Sequence, residues 1–130
     1  MPMDTKYLDV DDSWGVIICY DFHPLDEYEM RQNMMAFGLR GERIENAIDI
    51  LFKKNTGLCI TRPDIRMCLI FVGNATDEEQ WWDTLTHELY HAQDAICDYY
   101  NVRKGSEDAA WLMGYLMRQA VKIISEPCKD

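Results

Sequence analysis

No apolar run in this 130-residue chain approaches the ~20 residues needed to span a bilayer. The N-terminal stretch from Met1 to Asp12 is polar and acidic, without the basic segment and apolar core of an export signal. Both absences predict a cytoplasmic protein with no membrane partner. Positive charge is also scarce: 13 Lys and Arg stand against 23 Asp and Glu, a formal net charge of −10. Such a balance argues against nucleic acid, whose phosphate backbone is bound by cationic surfaces. There is no C-x-x-C pair, and the five cysteines (Cys19, Cys59, Cys68, Cys97, Cys128) are odd in number. They are expected to be free thiols, none of them a metal ligand. Asn74-Ala75-Thr76 fits a glycosylation sequon, which means nothing without export. Repeats, low-complexity segments and linkers are missing too.

Apolar residues make up 48% of the chain and aromatics 12%, enough for one core but not two. Residues 1–130 therefore read as a single domain. Gly15 to Tyr20 is β-rich and bounded by polar residues, the first strand expected. Asp26 to Phe37 favours helix. Glu42 to Lys54 carries Ile44, Ala47, Ile48, Leu51 and Phe52 at helical spacing, with Gly57 following as C-cap. Leu58–Thr61 and Arg66–Val72 then form a hairpin around Pro63-Asp64, which would set Cys59 opposite Cys68. Thr76-Asp77-Glu78-Glu79 reads as a capping box opening a helix to about Tyr100. Gly105-Ser106 starts a last helix, Glu107 to about Ser125, with a stripe through Ala110, Met113, Met117, Ala120 and Ile124.

Two of the three histidines fall in His87-Glu88-Leu89-Tyr90-His91. On a helix, residues four apart lie one turn apart on one face, so both imidazoles can reach one metal ion. Glu88 projects beside that ion, where it can take a proton from an activated water. The long helix carries one apolar face (Leu85, Leu89, Ala92, Ile96), with the histidines outside it, so a second layer is expected over them. A catalytic zinc takes three protein ligands. Asp94 and Asp98 share the histidine face, but a ligand from the same helix must fold back, and Asp98 is ~10 Å along the axis from His91. They read as supporting or solvated charges. Glu107 and Asp108 open the next helix, which can cross back over the histidines. Stepping back three from Ala110 gives Glu107, the favoured third ligand over Asp108.

With these residues the chain resembles a small zincin metallopeptidase of the gluzincin type, similar to minimal peptidase-like proteins of phages and mobile elements. The resemblance spans roughly Leu58 to Ile124. It implies a small zincin-like α+β domain: a short antiparallel or mixed sheet packed on helices, the metal helix followed by a C-terminal ligand helix. It implies one Zn2+ per chain on His87, His91 and Glu107, Glu88 as general base, and a peptide or protein substrate. Trp111 stands where larger gluzincins carry an acidic residue or asparagine. The oxyanion donor stays open among Tyr90, Tyr99, Tyr115 and His23, with His23 otherwise a surface or capping residue. Met67–Val72 is either the sheet edge that receives an extended peptide or a buried inner strand. Other functions compatible with the sequence are a zinc-binding regulatory or structural protein without proteolysis, and a metal-free interaction domain.

Overall fold

Two aspartates with left-handed backbone, Asp11 and Asp12, fold the chain back on itself between β1 (Asp4–Val10) and β2 (Trp14–Tyr20). Aspartate tolerates that conformation, and here the Asp9 carboxylate accepts a hydrogen bond from the Asp12 amide at 3.0 Å. The computed structural model describes residues 3–124. They form a small α+β fold of one four-stranded mixed sheet and four helices. After β2 come α1 (Glu27–Ala36), α2 (Glu42–Lys53), β3 (Gly57–Arg62), β4 (Met67–Val72), α3 (Glu78–Tyr100) and α4 (Glu107–Ile123).

The strand order is β1-β2-β4-β3. β1 pairs antiparallel with β2, β2 parallel with β4, and β4 antiparallel with β3. β4 is therefore an inner strand, and the open edges are β1 and β3. Its run Cys68-Leu69-Ile70-Phe71-Val72 is continuously apolar because both its faces are buried. On one face Val16, Ile18, Cys68 and Ile70 pack against Trp81, Leu85 and Leu89 of α3 and Leu116 and Ala120 of α4. On the other, Cys19, Leu69 and Phe71 pack against Met30 and Met34 of α1 and Ile44, Ala47 and Leu51 of α2.

β1 precedes the run Gly15–Tyr20 that was expected to be the first strand. Only Leu8 and Val10 of it are buried, so its composition stays polar and its strand signal weak. The β3–β4 register also differs from expectation: Cys59 pairs with Ile70, and Thr61 with Cys68. The connection is longer than a two-residue turn, a 3-10 turn over Pro63–Ile65 closed by Arg66 in the left-handed region. Cys59 and Cys68 are diagonal neighbours on the α3-facing side. Cys19, Cys59, Cys68 and Cys97 are free thiols, and Cys128 lies outside the described residues. The N-cap of α3 is Asp77, whose carboxylate accepts from the Gln80 amide at 2.7 Å, so Thr76 lies outside the helix. Asp77 wins because its own carboxylate reaches N3 with Gln80 there. No helix among the described residues is long and apolar enough to cross a membrane.

Candidate metal centre

α3 supplies every member of the site. His87 and His91, one turn apart, point their Nε2 atoms at each other across 3.3 Å. Two nitrogens bound to one tetrahedral ion at ~2.0–2.1 Å are separated by about 3.3–3.4 Å, so the pair already has the spacing that a shared ion requires. The ligand-capable atoms of His87, Glu88 and His91 all lie within 4.8 Å of one another. Among the described residues no other cluster of three such side chains is this close. Neutral imidazoles and a carboxylate are the donor types that hold divalent first-row metals, so the trio could bind a metal ion.

The environments of the three differ in a useful way. Both histidines are exposed, while Glu88 is 5% exposed, one position round the helix toward the sheet. Burial pushes its carboxyl pKa up, with the two neighbouring histidines pulling in the opposite direction.

Gly57, the first residue of β3, makes this burial possible. A Cβ built there would lie 2.7 Å from Glu88 Cγ, 2.8 Å from its Oε2 and 2.9 Å from Thr84 Cγ2. The sequence suggested Gly57 as the α2 C-cap. The cap is Lys54, and Gly57 instead lets the strand approach the α3 surface. A glycine opening a β-rich run was the available signal, and it was masked by the cap reading.

Glu107 is not part of the cluster. It lies exposed in the first turn of α4, whose contacts with α3 run through Gln93 Nε2 donating to Ala109 O at 2.9 Å and Thr86 Oγ1 to Met117 Sδ at 3.7 Å. Thr86 and Gln93 sit roughly 130° round α3 from the histidines, so α4 covers a different side from the one expected. The inward position of its first turn is Ala109; Ala110, from which Glu107 was placed, faces solvent, as do Asp108 and Val121.

The histidines open instead into a cleft of about 500 Å³ between α3 and β3, lined by Gly57, Cys59, Thr61 and, beyond His91, Asp94 and Asp98. Lys104 holds both carboxylates, at 3.1 Å from Asp94 and 3.8 Å from Asp98. A second cavity, about 520 Å³, continues past His87 between Thr84 and Asp83 on one side and Ile50 and Lys54 on the other. Cys59 also lines the cleft, its pKa pushed up by its hydrogen bond to Cys68 and by burial, so it stays a thiol and a poor ligand. Of the oxyanion candidates, Tyr90 is exposed with its ring 6.1 Å from that of His91. Tyr99 packs on Trp14 and Tyr115 donates to Asp9 O. His23 caps a 3-10 turn, its amide donating to Asp26 Oδ2. Comparison with protein-family models, with curated proteins and with solved structures returns no match, so the functional reading rests on the geometry of this trio and its cleft.

Proposed function

We propose that this protein is a zinc-dependent peptidase of the H-E-x-x-H kind, with His87 and His91 holding the ion and Glu88 serving as general base. One observation carries the reading: a paired-imidazole donor set with a buried carboxyl beside it, opening into a cleft along a free strand edge. Zinc, when bound, supplies Lewis acidity, polarising a carbonyl and acidifying water. The remaining work falls to the chain. Glu88, beside the paired histidines, would take the proton from the attacking water and pass it to the leaving amine. β3 positions the substrate. Its residues Gly57, Cys59 and Thr61 alternate with Leu58 and Ile60, which pair with β4, as Gly73 does with the Thr56 carbonyl. The amides and carbonyls of Gly57, Cys59 and Thr61 thus point to the open edge, where an extended peptide can add as a further strand beside the histidines.

The second reading, a metal-binding protein without proteolysis, draws on the same cluster. With Glu88 as the third ligand no general base would remain in the trio. The experiment that separates them is digestion of unfolded casein by the zinc-loaded protein, with metal content measured for wild type and Glu88→Gln. Retained zinc with lost turnover supports the peptidase. Lost zinc, or no turnover by wild type, supports the second reading.

A further inference from the structure

The free edge of β3 has a second wall. On the side away from the histidines, α2 presents Arg43, Asn46, Ile50 and Lys54, positions i, i+3, i+7 and i+11 on one helical stripe. Arg43, Asn46 and Ile50 line a groove of about 470 Å³ against Leu58 and Ile60 of β3. Ile50 and Lys54 carry the same wall on to the cavity beside His87 and Glu88. β3 is thus the floor of a trough with two unlike sides. The α3 side carries the histidines and the carboxylates Asp83, Asp94 and Asp98, two of which Lys104 already holds. The charged residues that line the α2 side, Arg43 and Lys54, are both cations.

Their charge is not neutralised by a neighbouring carboxylate, as that of four other cations is. Arg31, Lys53, Arg62 and Lys104 are each ion-paired within 4 Å. Arg43 and Lys54 have no ion pair among the described residues and are exposed at the rim of the cavities they line. In a chain of net charge −10, two unpaired cations on one wall of one trough form a local positive strip. They are eleven residues apart, ~16 Å along the helix, a length that about five residues of extended peptide cover.

We propose that the α2 wall is a substrate-recognition surface, and that the trough takes an extended peptide segment carrying acidic side chains on one face. The inference rests on the peptidase reading only in taking β3 as the peptide-docking edge. In an added strand, side chains alternate in direction. Those beside Gly57, Cys59 and Thr61 enter the histidine cleft. Those beside Leu58 and Ile60 turn toward α2, where the apolar floor takes the stem of a glutamate and Arg43 or Lys54 takes its carboxylate. Asn46, between them, offers an amide to either a carboxylate or a backbone group. Continuity with the histidine cleft and the unpaired positive strip select this occupant over an uncharged one.

The test is selection of a phage-displayed library of random octapeptides on zinc-loaded Glu88→Gln protein, which binds without cleaving. The enriched sequences are expected to carry Asp or Glu at positions of one parity. The same selection on Glu88→Gln with Arg43→Glu and Lys54→Glu should replace them with Lys or Arg. Affinity for the best acidic peptide, measured by fluorescence anisotropy, should fall by about tenfold or more, two exposed charge contacts being reversed. Both substituted residues are exposed, and an unchanged thermal unfolding midpoint establishes that the variant is folded. No enrichment, enrichment without acidic residues of one parity, or an identical set from the double variant would each overturn the proposal. Casein digestion by wild type is scored separately. Turnover with a failed selection leaves the peptidase standing and removes only the recognition surface, whereas a successful selection without turnover does the reverse.

Discussion

Gly57 and Glu88 fit against each other so closely that even a methyl group between them is too large, with a Cβ at residue 57 falling 2.7 Å from the Glu88 side chain. The strand that floors the cleft and the carboxyl proposed as base are therefore placed by one contact. Gly57→Ala must displace either β3 or Glu88. It is expected to cost roughly 1–3 kcal/mol of stability, as overpacking does. Because the added Cβ meets Glu88 and Thr84 and not the histidines, the variant should keep its metal. Chemical denaturation with metal analysis on the same samples checks both halves, and an unaltered unfolding free energy would mean that the contact is slack.

Glu88→Gln retains shape and removes charge. Zinc content and stability should be close to wild type, while turnover of a cleaved substrate falls by roughly 10²- to 10⁴-fold, the usual cost of losing a general base. Single-turnover kinetics at saturating substrate is the decisive measurement. Unchanged cleavage would dispose of the mechanism.

Glu107→Gln should leave zinc affinity as it is. The helix that bears Glu107 packs on the Thr86–Gln93 side of α3, away from His87 and His91. His91→Ala, by contrast, should lose the ion. Competition titration against a chelating dye compares the two, and a weakened Glu107→Gln site would show that α4 reaches the histidines.

The start of α3 can be checked by a pair of substitutions. Asp77→Ala should destabilise by about 1 kcal/mol through loss of the cap to Gln80, and Thr76→Ala by much less. Equal losses in urea denaturation would place the cap elsewhere.

Burial pushes the Cys19 thiol up to about 11 from an ordinary 9.0, against a hydrogen bond from Thr5 that lowers it. The folded chain then holds a proton that the unfolded chain releases, so stability is full below pH 9 and declines as pH rises toward 11. The decline attributable to Cys19 approaches about 2–3 kcal/mol by pH 11, an order-of-magnitude figure. Cys19→Ala should flatten that limb of the stability curve relative to wild type. Parallel curves for the two proteins over this range would count against it.

The helices, the hairpin strands and the histidine pair were legible in the sequence because each is a local pattern: a 3.6-residue stripe, a β-rich run, a spacing of four. What the sequence hid depends on which side of an element its neighbour occupies. Ala109 and Ala110 are equally small and apolar, and only the packing against Gln93 decides which turns inward, a one-residue change that leaves Glu107 outside the histidine cluster. Whether the apolar run Met67–Val72 was an edge or an inner strand could not be read from its composition either. The answer required β2, fifty residues earlier, to pair with it. The β3 register slipped because a left-handed Arg66 lengthens the turn, and arginine carries no sequence signal for that conformation.

The parallel β2–β4 ladder also sets an order of events. Gly15 meets Met67 and Cys19 meets Phe71, so the sheet's central seam closes a loop of about fifty residues, an entropic cost paid before any contact repays it. α3 can coil early from its own sequence, yet its apolar face has no floor until that seam forms. Glu88 gains its burial from that floor and from Gly57 at the start of β3. The spacing of the two imidazoles thus depends on one helix alone, whereas the buried setting of Glu88 depends on the whole sheet.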